Sequence, residues 1–252
     1  MSELDVVIGP EEPRFWLAIG CCVSIALVLI WGVHRNTAQR ERHLRYIGFA
    51  MLGMQVLDLT LALGNPDLSF SIHRSLPLHF CGLNTILLGI LCFRRSPVVF
   101  AFAGFMGMIG GFHSLITPQL PSGDAWPFFL LYYTKHAALV VVPIILARSY
   151  GFRFRRWDWL RAYGLAVLAS TVMMGVNGVL NTRFPHAQGL TANYMYVWEA
   201  PTADNPLILD WGWPWYLLPL HVALLVHLIL INALFRKCLS PFEKGAELKW
   251  FE

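Results

Sequence analysis

The segment LPLHFCGLNT, Leu76–Thr85, places a histidine, a cysteine, an asparagine and a threonine at the mouth of an apolar run. A second polar interruption, KHAAL at Lys135–Leu139, sets a lysine and a histidine inside another apolar run. A cysteine becomes a strong nucleophile as the thiolate, and a neighbouring imidazole is the usual group to take its proton. Cys81 is therefore a candidate nucleophile for acyl transfer, with His136 among the histidines at similar depth that could act as its base. Cys81 opens a predicted helix, where the amide dipole favours the thiolate.

Other polar groups fall inside or at the edge of apolar runs: His79, Asn84, Asp58, His113, Lys135, Asn177 and His221. Burying such groups in lipid is expensive, which makes each a functional candidate. Counted along their segments, all fall in the half of the membrane predicted to face outward. They are candidates for stabilising an oxyanion, orienting the base or binding substrate, as is Tyr194 in the longest connection. Each also has a structural reading. Histidines and asparagines bond neighbouring helices, and Asp58 with Lys135 makes a buried ion pair. His227 reads as structural, near the opposite end. Of the five cysteines, only Cys81 lies near the outer face, so no external disulfide is expected within one chain. No H-x₃-H or C-x₂-C spacing is present, and neither a metal nor a cofactor is expected.

These groups need elements to hold them, and composition says what kind. The chain is 56% hydrophobic and 13% charged, against about 25% charge in a soluble domain. Seven apolar stretches stand out: Arg14–Val33, Tyr46–Gly64, His79–Phe93, Pro97–Thr117, Pro127–Ala147, Arg161–Leu180 and Trp213–Phe235. They lack period-two alternation, and lipid satisfies no backbone polar group, so helices are expected. The fold class is an all-α integral membrane protein, residues 1–252 forming a single bundle of about seven transmembrane helices. The third stretch is the shortest, and reaches spanning length only if Leu76–Leu78 extend it at the interface.

The first residues, MSELDVVIGPEEP, are acidic and do not read as a cleavable signal, so the first span is expected to be a retained anchor. The connections after the first, third and fifth spans and the tail after the seventh hold 15 of the 19 Lys and Arg. The positive-inside rule then puts the amino terminus outside and the carboxyl terminus in the cytoplasm. The net charge of +4 suits an anionic inner leaflet and implies no nucleic-acid partner. The long connection, residues 181–210, carries Tyr194, Tyr196 and Trp198 and reads as an ordered lid. WGWPWY, Trp211–Tyr216, reads as an interfacial aromatic belt. GFMGMIGGF, Gly104–Phe112, offers small residues for close helix packing inside the bundle, and no dimer motif fixes an oligomeric state.

Five blocks in order carry a resemblance: LPLHFCGLNT, FHSLITPQL at Phe112–Leu120, KHAAL, NYMYV at Asn193–Val197 and GWPWYLL at Gly212–Leu218. They resemble the YwaF-type integral membrane proteins from about the second span to the seventh. That family resembles the animal transmembrane cysteine acyltransferase of ether phospholipids and, more distantly, androgen-induced membrane hydrolases of fatty-acid esters. The resemblance matches Cys81 to the nucleophile and His136 to the histidine two spans later. It implies a phospholipid acyltransferase or acyl-ester hydrolase acting on phospholipid or lysophospholipid of the outer leaflet. The implied location is the cell membrane, in multi-pass form, which is the inner membrane in a bacterium. Many such blocks read HLCD where this chain reads HFCG, so an orienting acid is not supplied at Gly82. The alternative is a non-catalytic seven-helix transporter or lipid-binding protein, for which inverted repeats or broken helices would speak.

Overall fold

Seven helices form at the seven apolar stretches: α1 (Pro13–Trp31), α2 (Thr37–Gly64), α3 (Phe80–Leu91), α4 (Pro97–Ile116), α5 (Trp126–Ser149), α6 (Asp158–Arg183) and α7 (Leu217–Cys238). The computed structural model describes residues 6–31, 37–64, 70–187, 189–201 and 206–238. Residues 1–5 of the acidic start, Arg35 in the first basic connection, the tail beyond residue 238 and residues 188 and 202–205 of the long connection lie outside them.

Five helices, α2 and α4 to α7, are long and apolar enough to cross a membrane. α3 is not. Its 12 residues rise about 18 Å, against a hydrocarbon core of about 30 Å. Leu76–Leu78 do not extend it, because Pro77 has no N–H and holds the residue before it out of helical geometry. Two other boundaries also differ from expectation. α2 begins at Thr37 rather than Tyr46, since TAQRERHLR holds no helix breaker. α7 begins at Leu217 rather than Trp213, because Gly212 adopts φ +70° and Pro214 follows it. One pairing was not legible at all: β1 (Val6–Val7) runs antiparallel to β2 (Gln119–Leu120), with Val6 opposite Leu120.

α4 is the hub. Ser96 caps its first turn by accepting from the Val99 N–H at 3.4 Å, and Pro97 takes the first helical position. Phe100 through Met108 are buried without a break, as a helix surrounded by others requires. α3, α5 and α6 pack against it; α2 packs on α3 and α5, α1 on α5, and α7 on α6. Gly107 and Gly111, one turn apart, let α5 approach closely. A Cβ at Gly111 would stand 2.7 Å from the His136 carbonyl oxygen.

The connections sort by charge into two ends. At the basic end, Arg40 donates to the Ser149 carbonyl, and the Tyr150 hydroxyl donates to the Arg40 carbonyl at 3.0 Å. Phe154, in the connection after α5, turns inward and stacks on Phe105 with ring centroids 3.9 Å apart. At the other end lie the strand pair, residues 70–79, and the folded part of the long connection around Tyr194. The two ends keep the basic and neutral connections apart.

Candidate functional site

Pro77 sets up the start of α3. The chain turns over residues 71–79, Leu78 N–H bonds the Leu76 carbonyl at 2.8 Å, and the helix begins at Phe80. Gly82 lies against that turn: a Cβ there would meet the Pro77 Cα at 2.9 Å. Backbone cannot retreat as a flexible side chain can, so this structure has no room for an acidic side chain at position 82. Cys81, half-buried, therefore sits in the first turn of α3 with its carbonyl accepting from the Thr85 hydroxyl at 2.7 Å.

The long connection closes over this helix start. Asn177, fully buried on α6, grips the Tyr194 backbone from both sides: its Nδ2 donates to the carbonyl at 3.0 Å, and its Oδ1 accepts from the N–H at 2.9 Å. The Tyr194 hydroxyl donates to the Ile72 carbonyl at 2.7 Å and accepts from the Leu76 N–H. Burial pushes the Tyr194 phenol up to about 12, so it stays a donor at neutral pH. The next two residues, Met195 and Tyr196, adopt φ of 59° and 53°. For non-glycine residues this left-handed region is uncommon, and the Asn177 clamp holds it. His79 Nδ1 accepts from the Met195 N–H at 3.3 Å, with its ring between Tyr194 and Tyr196 at 5.2 and 5.0 Å.

α5 supplies the second half. His136 Nδ1 lies 2.7 Å from the carbonyl of Tyr132, one turn back. A carbonyl only accepts, so Nδ1 carries the proton and a neutral ring keeps its lone pair on Nε2. The Tyr132 ring packs on the His136 ring at 4.2 Å, and its hydroxyl donates to the Ser114 carbonyl at 3.0 Å. Cys81 and Tyr196 are both near enough to act electrostatically on that hydroxyl. Tyr132 is thus the neighbour shared by the α3 start, the long connection and His136. Lys135, buried, pairs with Asp58 of α2 at 2.5 Å, and its charge reaches both His79 and His136. Gln55 Nε2 donates to the same carboxylate at 3.4 Å, and its own buried Oε1 has no partner among the described residues.

Asn84, one turn into α3 beyond Cys81, is fully buried, and neither its Nδ2 nor its Oδ1 has a partner among the described residues. An unmatched buried amide costs about 1–3 kcal/mol per group. Asn177 differs: both side-chain atoms are committed to Tyr194, so its role is to hold the loop.

Two candidates have ring partners elsewhere in the bundle. His113 faces His227 of α7, ring centroids 5.1 Å apart. His227 therefore lies alongside His113 rather than toward the basic end. His221 stands edge-on to Tyr163 at 5.8 Å, with a buried Nδ1 that has no partner among the described residues. Two members of the cluster were missed by sequence reasoning, Tyr132 and Gln55, and Tyr196 was read only as part of the lid. Tyr132 had a signal, since a residue four before a helical histidine offers it a carbonyl. Among the described residues no three His, Cys, Asp or Glu side chains gather as a metal site would need.

A family model described as the TMEM164 family matches residues 9–232. That range runs from before α1 into α7 and takes in every residue of the cluster. No curated protein and no solved structure matches the chain.

Proposed function

This chain belongs to the TMEM164 family and is a multi-pass membrane protein; from that premise we propose that it transfers acyl chains between lipids, through a thioester on Cys81. The observation that carries the proposal is the Tyr132 carbonyl, 2.7 Å from His136 Nδ1, which holds the ring in the tautomer whose Nε2 can act as base. The motif resemblance that matches Cys81 and His136 to a nucleophile and its histidine supports the same pair.

The steps are these. Sγ attacks the ester carbonyl carbon while its proton passes to His136 Nε2, and a C–S bond forms. The C–O bond to the glycerol oxygen then breaks, and His136 returns the proton to that oxygen, releasing lysolipid. A second hydroxyl, from a lysolipid or from water, attacks the thioester and gives its proton to His136. The thiolate leaves and is reprotonated. A lysolipid acceptor gives transfer and water gives hydrolysis. Asn84 Nδ2 is a buried donor with no acceptor among the described residues, one helical turn from Cys81. A donor that meets the developing oxyanion contributes on the order of 3–4 kcal/mol. Tyr132 O takes the orienting role that an acid fills in other cysteine enzymes. The same carbonyl bond occurs at His227, to Ala223 at 2.7 Å. What distinguishes His136 is its burial beside Lys135 and the Tyr132 ring.

The test is labelling by a lipid bearing a chloroacetamide or thioester group in membranes holding the full chain. The wild type is expected to be modified at Cys81, and His136→Ala to be modified about 10²-fold or more slowly, the usual loss on removing a general base. Labelling unchanged by Cys81→Ala removes the nucleophile and the proposal with it.

A further inference from the structure

A cleft of about 200 Å³ opens at the head of α7, lined by Trp198, Glu199, Leu209, Asp210, Trp213 and Tyr216. Its walls are fixed. The Trp213 indole N–H donates to the Val197 carbonyl at 3.2 Å, and the Tyr216 hydroxyl donates to the Tyr196 carbonyl at 2.7 Å. Glu199 and Asp210 form no ion pair among the described residues. The Glu199 charge reaches the Tyr216 hydroxyl. Rigid aromatic faces beside carboxylates attract an organic cation, through the ring quadrupole and through charge.

Size and depth narrow the choice. Pockets that enclose a drug-sized molecule run to about 300–1,000 Å³, so this cleft takes a headgroup rather than an acyl chain. Trp211 and Trp215, exposed on either side, place it among the aromatic residues that sit at the level of lipid headgroups. It is also joined to the cluster. Tyr196, whose carbonyl holds Tyr216, has its ring against His79, two residues before Cys81.

We propose that this cleft binds the ammonium group of a zwitterionic phospholipid or lysophospholipid, and so selects such lipids over anionic ones for the centre below it. The selection rests on the acyl-transfer reading; the binding does not. Phosphate-only headgroups are disfavoured because the two carboxylates repel them.

Native mass spectrometry of the full chain in detergent tests the idea, with short-chain phosphatidylcholine and phosphatidylglycerol added at equal concentration. The wild type is expected to prefer the choline lipid by roughly fivefold to tenfold, the range that one cation–π site with a carboxylate gives. Cys81→Ala is expected to keep that preference while losing probe labelling, which separates the cleft from the chemistry. Glu199→Gln with Asp210→Asn, and separately Trp213→Leu, are expected to abolish it. Trp215→Leu, outside the cleft lining, is expected to keep it. Equal binding of both lipids by the wild type, or a preference surviving the double variant, overturns the proposal. Loss of preference in Trp215→Leu also overturns it, by reducing the effect to interfacial anchoring. Displacement of the choline lipid by millimolar choline as well as by the lipid itself overturns the headgroup assignment in favour of a soluble amine.

Discussion

Adding one methyl group to the face of α4 tests how tightly the α4–α5 seam fixes His136. In Gly111→Ala the new Cβ lands 2.7 Å from the His136 carbonyl oxygen, 3.0 Å from Leu139 Cβ and 3.0 Å from Val140 Cγ2. Carbon atoms rest at about 3.5–4.0 Å, so the seam must open by about half an ångström or more. Two of the three obstacles are backbone or Cβ atoms, which move only with the helix. Overpacking of this kind costs about 1–3 kcal/mol, offset by the roughly 0.5–1 kcal/mol that glycine-to-alanine contributes inside a helix. Gly110→Ala supplies the reference, because nothing lies within 4 Å of a Cβ there. The helix gain is common to both variants, so their difference isolates the seam, at about 1–3 kcal/mol. Thermal unfolding in detergent measures it, with Gly110→Ala expected at or above wild type and Gly111→Ala below Gly110→Ala. The rate of probe labelling at Cys81 is expected to fall about tenfold to a hundredfold in Gly111→Ala alone, since about 1 Å of misplacement can cost 10²-fold. Equal unfolding temperatures and equal labelling rates in the two variants refute the claim that this seam positions the base.

The Lys135–Asp58 pair predicts an asymmetry, because the lysine side chain is 8% exposed and the carboxylate 37%. Asp58→Asn strands the buried ammonium and is expected to destabilise by about 3–5 kcal/mol, Lys135→Met by less, and the double variant Asp58→Leu with Lys135→Met to recover most of the loss in thermal unfolding. Asn177→Ala removes both bonds to the Tyr194 backbone and is expected to make residues 189–201 cleavable by added protease, at a cost of about 1–3 kcal/mol; unchanged protection would deny the clamp. Gly82→Asp is expected to abolish labelling at Cys81 while the chain still inserts, because its Cβ meets the Pro77 backbone; normal labelling would show that the turn yields. Burial raises the phenols of Tyr194 and Tyr216 from about 10 to about 12. An unfolded loop loses those protons first, so the stabilisation is complete below pH 10 and falls as pH rises toward 12. Amide protection over residues 194–201 and 206–216, taken relative to the intrinsic exchange rate at each pH, should fall across that window, and unchanged protection would show that the hydroxyls do not hold the loop.

The seven helices were legible because hydrophobic run length is a property of the chain itself. So was the break before α3, where Pro77 imposes its geometry whatever surrounds it. The start of α7 was misplaced because WGWPWY has the hydropathy of a span, while Gly212 and Pro214 deny it the backbone of one. Asp58 and Lys135 could be paired in advance, since neither is tolerable alone in lipid. Lateral neighbours could not be paired in the same way. That His113 meets His227, or that the Tyr132 hydroxyl reaches the Ser114 carbonyl of α4, depends on which helix faces lean together, and no single-chain period encodes that. The closeness of α5 to α4 was half visible in the small residues of GFMGMIGGF, but not which glycine met which carbonyl.

The seat of α1 lies far downstream of it. Its main packing surface is α5, and the strand ahead of it pairs with residues 119–120, just before α5 begins. During synthesis α1 leaves the ribosome more than a hundred residues before Tyr133, the residue whose carbonyl meets Cys22 at 3.5 Å. At about 5–20 residues per second, that gap is several seconds in which the first segment must rest in lipid unattended. Insertion order and assembly order therefore differ in this bundle, and a chain halted after α4 would lack the helix against which its first segment mainly packs.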